Sequence, residues 1–198
     1  MYVIAGPNGA GKSTLYRQVL RPRTPDTPFI NADEIQREEL HDASMQAAYR
    51  AAEIAEERRQ AFLREGRGFI TESTFSHPSK LALVETARAA GFEVIVFHVN
   101  VRLPELSVAR VAQRVLEGEH DVPEDKIRER YERNPPLIRQ AACAADHAFV
   151  YDNSRLNQPM ARVLALRQGK VVLLGDALPA WARSLYAAEL AALQRARR

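Results

Sequence analysis

The sequence predicts an α/β fold: a parallel sheet sandwiched by helices, with a C-terminal β-hairpin and helix added. Three observations predict it. Apolar, β-rich segments alternate with stretches of helical periodicity, and a glycine-rich run joins the first such segment directly to the first helical pattern. Past Tyr151 the alternation gives way to two apolar runs on either side of Gln168-Gly169. At 198 residues and 46% hydrophobic content the chain is the size of one domain, residues 1–198, and can bury an ordinary core without disulfides or structural metal.

Strands are expected at residues 2–5, 29–31, 69–71, 94–99 and 147–151. The alanine-rich, charged stretch 44–65 predicts a long helix with Ser44 as N-cap and a stop at Gly66. Another helix is expected over 78–91. Residues 104–117 and 123–142 predict two more, joined through Gly118-Glu119-His120-Asp121-Val122, with Pro123 at a first helical position. This pair, about 104–142, is the candidate helical lid. Residues 161–166 and 171–174 predict the hairpin, and the tail from Pro179 predicts one helix that packs Ala182, Tyr186, Leu190 and Leu193 on the core.

The run Gly6-Pro7-Asn8-Gly9-Ala10-Gly11-Lys12-Ser13-Thr14 carries the strongest chemical signal. Its Gly-x-x-x-x-Gly-Lys-Ser spacing turns backbone N–H groups inward around a polyphosphate, lets Lys12 reach the outer phosphates, and places the Ser13 hydroxyl to ligate magnesium. Strand before and helix after supply the confirming context, and the helix beginning near Lys12 aims its positive dipole end at the phosphates. The fold expected is therefore a P-loop NTPase of the nucleoside-kinase type, with ATP and Mg2+ as cofactors.

Asn31-Ala32-Asp33-Glu34 ends the second strand at the edge where parallel strands open into a ligand crevice. Asp33 is the candidate general base for an acceptor hydroxyl, with an N-cap role as the structural alternative. Glu72 and Thr74, at the end of the third strand, are placed to hold the acceptor or water around magnesium, while Ser73, Thr74 and Ser76 also read as turn residues. Arg110 and Arg114 share a helical face, and Arg128, Arg130 and Arg133 follow the lid loop. Arg114 and Arg130 are the arginines assigned to phosphate, the others to ion pairs with nearby glutamates. Glu53, Glu56 and Glu57 read as a solvated face, His98 and His147 as structural histidines, and Cys143 as a small packed hydrophobe. Magnesium is the only metal expected.

Net charge is +3 and the isoelectric point about 9.2, but the basic residues are interleaved with acids, which argues against a nucleic-acid partner. The longest apolar runs are too short to span a bilayer, so no membrane association and a cytoplasmic location are expected.

With these residues in view, the sequence resembles the zeta toxin family of P-loop kinases in a short form. The glycine-rich run, Asn31-Ala32-Asp33-Glu34 and Thr71-Glu72-Ser73-Thr74 carry the likeness. Arg110 to Val115, Gly118 to Pro123 and Arg128 to Arg133 resemble the lid of shorter members, and Tyr151-Asp152-Asn153-Ser154 their fifth-strand ending, so the likeness runs to about Ser154. It implies transfer of the γ-phosphoryl group to a sugar hydroxyl of a UDP-activated amino sugar, UDP-N-acetylglucosamine. In that scheme Asp33 is the base, Glu72 and Thr74 contact the acceptor, and Lys12 and Ser13 handle phosphate and magnesium. It also implies a toxin of a toxin–antitoxin pair, with a protein antitoxin that blocks the nucleotide cleft. Two alternatives stay open: a kinase for another metabolite (a nucleoside, dinucleotide or small sugar), and a nucleotide-controlled binding protein.

Overall fold

The computed structural model describes residues 1–117 and 122–196. Residues 118–121, which hold the centre of the predicted lid loop including His120, lie outside the described residues. Seven strands form one sheet in the order β2-β3-β1-β4-β5-β6-β7, where β1 is Tyr2–Ala5, β2 Phe29–Ile30, β3 Ile70–Ser73, β4 Ile95–Asn100, β5 His147–Asp152, β6 Ala161–Arg167 and β7 Lys170–Leu174. The first five are parallel, so all their carboxyl ends meet at one edge; β6 and β7 extend the sheet antiparallel as the predicted hairpin.

Alternation along the strands sorts side chains into two cores. Val3 and Ala5 join Val94, Val96, Ala148 and Val150 on one face, and Ile4 joins Ile70, Phe97 and Val99 on the other. The first face is covered by α3 (Met45–Arg64), α4 (Ser79–Ala89), α7 (Pro135–Ala144) and the C-terminal segment. The second is covered by α1 (Lys12–Leu15), which continues as a π-helical turn over Tyr16–Leu20; the Arg21 N–H bonds the Tyr16 carbonyl five residues back. A second short helix, α2 (Ala32–Ile35), likewise continues into a π-helical turn over Gln36–Leu40.

Ser44 caps α3 as predicted, its Oγ accepting from the Ala47 N–H at 3.1 Å. Two helices differ from expectation. The stretch predicted as one helix over 123–142 is two, α6 (Glu124–Arg133) and α7, because Pro135 and Pro136 lack the N–H groups an uninterrupted helix needs. The tail is also two helices, α8 (Ala180–Leu185) and α9 (Ala187–Ala196), separated at Tyr186, whose hydroxyl is anchored to His98 on β4 at 2.8 Å. The remaining lid helix is α5, Pro104–Leu116.

Candidate functional site

The glycine-rich loop leaves β1 at the carboxyl edge and lies against β4. A Cβ at Gly6 would stand 2.1 Å from the Val99 carbonyl oxygen, so only glycine lets the loop pass this close to the neighbouring strand. Gly11 precedes α1 with φ of 101°, a left-handed conformation, and no side chain caps the helix. The first N–H groups of α1 are therefore directed at the crevice without a side-chain partner, as an anion site requires.

Lys12 is buried. Its ammonium donates to the Pro7 carbonyl (3.1 Å) and lies 3.8 Å from the Glu72 carboxylate. Burial lowers its pKa, Glu72 and Asp33 act against that shift, and Arg114 and Arg130 reinforce it. Glu72 leaves the end of β3 into the same space, where the Ser13 hydroxyl donates to its carboxylate at 3.3 Å. Burial raises the Glu72 pKa and the Asp33 charge raises it further, while Lys12 pulls it down. Five groups predicted for the site, Lys12, Asp33, Glu72, Arg114 and Arg130, thus share one electrostatic neighbourhood although they come from five different elements.

Asp33 is exposed in the first turn of α2, and it is not the helix cap. Asn31 is the cap, its Oδ1 accepting from the Asp33 N–H at 2.8 Å. Capping by Asn31 fixes the backbone of Asp33 and leaves its carboxylate to the crevice rim. On the other side of the crevice, Ser73 Oγ accepts from the N–H of Phe75 (3.0 Å), the turn role predicted for this serine. Phe75 is buried with φ of 58°, a conformation bulky residues rarely adopt. The Thr74 hydroxyl donates to Ser76 at 3.5 Å, and the Thr74 carbonyl accepts from the fully buried Asn134 at 2.7 Å.

The lid arginines separate by partner. Arg130 donates to the Asn8 side chain of the loop at 3.2 Å. Arg128 is bound to Glu105 and Glu124 at the surface, and Arg133 to Glu129 with a longer bond to the Ser76 carbonyl (3.4 Å). Of Arg110 and Arg114, predicted on one face, Arg110 turns behind the loop to the carbonyls of Gly9 (3.3 Å) and Asn153 (2.8 Å), while the Arg114 charge acts on Lys12 and Glu72. The groups set aside as structural are engaged elsewhere. Glu56 binds Arg59, Lys80 and Gln60, which hold its carboxyl down at about 2, and Cys143, pushed up to about 12 by burial, donates to Glu189. Asn134 is a site-shaping residue that the sequence reading missed, and Asn153 stood out only as part of the fifth-strand ending; their partners lie 60 and 143 positions away, beyond the reach of local spacing.

The family model described as an AAA domain matches residues 1–137. An uncharacterized protein of Haemophilus influenzae is 30% identical over 128 residues, which is 64% of this chain and 88% of that protein. Among solved structures, the AvrRxo1-ORF1:-ORF2 complex with ATP has a TM-score of 0.68 at 15% identity, over 94% of this chain and 62% of that one. The PezAT chromosomal toxin–antitoxin system of Streptococcus pneumoniae has a TM-score of 0.56 at 15% identity, over 98% of this chain and 86% of that one. At these identities the two structures show a shared fold, and the chain spans less than two thirds of the AvrRxo1 chain.

Proposed function

The chain belongs to the AAA domain family, and on that footing we propose that it is an ATP- and magnesium-dependent small-molecule kinase of zeta-toxin type. The observation that carries the reading is the set of charges that act on Lys12: two carboxylates, Glu72 (3.8 Å away) and Asp33, and two guanidinium groups, Arg114 and Arg130. Phosphoryl transfer asks for this division, since the acceptor hydroxyl needs a carboxylate to orient it and the transferred group needs cations as negative charge develops.

In this reading Gly6 to Thr14 hold the nucleotide phosphates, Lys12 binds the outer ones, and Arg114 and Arg130 bind the group in transfer. The oxygen donors fit a hard cation: Ser13 would ligate magnesium, with Glu72 hydrogen-bonded to it at 3.3 Å. Bound there, magnesium would neutralise phosphate charge. Asp33 accepts the acceptor proton, while Glu72 and Thr74 hold the acceptor itself. The finer assignment is a UDP-activated amino sugar as acceptor, supported by the resemblance of Asn31-Ala32-Asp33-Glu34 and Thr71-Glu72-Ser73-Thr74 to zeta toxin segments. A protein antitoxin as partner is supported by the likeness to the PezAT toxin–antitoxin system, and a protein partner more generally by the likeness to the AvrRxo1-ORF1:-ORF2 complex.

The test is incubation with ATP, magnesium and a panel of UDP-sugars, followed by mass spectrometry for a product one phosphate heavier. A phosphorylated UDP-amino sugar that disappears with Asp33→Asn is the expected result. ATP turnover without such a product would move the acceptor to another metabolite, and absence of both would remove the kinase reading.

A further inference from the structure

The end of β5 contacts the phosphate loop from behind. Asn153 follows β5 directly, its backbone N–H bonded to the Asn100 carbonyl of the adjacent strand at 2.9 Å. Its side-chain Nδ2 donates to the Ala10 carbonyl at 2.8 Å, and its own carbonyl accepts from Arg110, which also reaches the Gly9 carbonyl. The residues on either side are tied off. Asp152 accepts from the Trp181 indole N–H (2.8 Å) and from the Ser154 hydroxyl (2.6 Å), and Ser154 Oγ in turn accepts from the Arg102 N–H (2.8 Å). A Cβ at position 11 would lie 2.3 Å from Asn153 Nδ2, so the glycine preceding Lys12 makes room for this asparagine.

In a trans peptide the carbonyl of one residue and the N–H of the next point in opposite directions. A donor that holds the Ala10 carbonyl rearward therefore aims the Gly11 N–H forward; the Ala10 N–H itself is bonded within the loop to the Pro7 carbonyl at 3.3 Å, and Arg110 braces the arrangement through the Asn153 and Gly9 carbonyls. We infer that Asn153 and Arg110 are positioning residues for nucleotide binding: Asn153 turns the Gly11 N–H toward the phosphates, and Arg110 holds Asn153 and the loop together. The inference rests on the loop being the nucleotide site, as proposed above.

The isosteric substitution Asn153→Asp keeps the shape but replaces the donor with an acceptor-only carboxylate. Binding of magnesium–ATP, measured by calorimetry as the ratio of variant to wild type, should weaken about tenfold or more at about pH 8 and recover in part toward pH 5, because a carboxylate set against the Ala10 carbonyl oxygen is raised above its ordinary pKa of about 3.9 and there takes up the proton that restores a donor. Equal affinity at pH 8, or the same loss at both pH values, overturns the inference, the second because packing alone would then explain the defect. Should this variant fail to fold, Arg110→Lys serves in the same assay. A lysine cannot span both carbonyls, so severalfold weaker binding is expected, and unchanged binding overturns the inference. Failure of the wild type to bind either ATP or GTP would strike at the nucleotide reading itself, a result separate from either ratio.

Discussion

At the scale of single residues, two carboxylates in one crevice hold different positions. Glu72, its side chain 9% exposed, lies against Ser13 and Lys12, whereas Asp33 stands exposed on the first turn of α2 with its backbone fixed by Asn31. Asp33→Asn preserves size and the Asn31 bond, which involves only the backbone N–H. We expect kcat to fall by about 10²- to 10⁴-fold, the usual contribution of a general base, with ATP affinity and thermal midpoint unchanged. Steady-state kinetics beside calorimetry check this, and undiminished kcat would assign the base elsewhere. Lys12→Met removes a buried charge that faces Glu72 at 3.8 Å. Weaker ATP binding, by about tenfold or more, is the expected outcome in calorimetry, since the charge-assisted contact to the phosphates is lost.

At the scale of elements, α6 spans the crevice. Arg130 near its end meets Asn8 of the glycine-rich loop, and just beyond it Asn134 holds the Thr74 carbonyl of the loop after β3, so α6 and the residue that follows it touch both loops. Arg130→Ala should cost about 10²- to 10³-fold in kcat, as loss of a group aimed at developing charge does. Arg128→Ala, which removes only the exposed pairs with Glu105 and Glu124, should leave kcat within about twofold and stability within about 1 kcal/mol. Equal defects in the two variants would mean that Arg130 acts through lid stability rather than at the phosphates. The phosphate loop was legible because its chemistry is encoded in nine consecutive residues, Gly6 to Thr14. Of the two lid arginines expected at phosphate, Arg114 and Arg130, the second lies against Asn8 of the loop, and spacing alone does not fix that contact: α6 ends at the break before Pro135, where Asn134 is anchored to the Thr74 carbonyl. The rearward turn of Arg110 was illegible, since its partner Asn153 arrives from β5, 43 positions on. The cap at Asn31 was within reach of the sequence, because an asparagine two residues before Asp33 is a stronger capping signal than the aspartate inside the helix.

At the scale of the whole molecule, a buried histidine helps join the C-terminal helices to the sheet. His98 of β4 has no solvent exposure; its Nδ1 bonds the Tyr186 hydroxyl, and the Trp181 ring lies edge-on at 5.4 Å. Trp181 also binds Asp152 beside the phosphate loop, so the tail supports both the core and the site. Burial pulls the His98 pKa from 6.5 to about 3. Between those values the unfolded chain takes up a proton that the folded chain refuses, so this histidine makes stability fall as pH falls, and its effect vanishes above 6.5. From about pH 7 to about pH 5 the loss from one such group is about 2 kcal/mol. His98→Gln retains a hydrogen-bonding partner for Tyr186 but does not titrate. Urea unfolding of the two proteins at both pH values should therefore show wild type losing about 2 kcal/mol more than the variant, with all other titrating groups common to both. Parallel losses would mean that the histidine is hydrated or protonated in the folded protein.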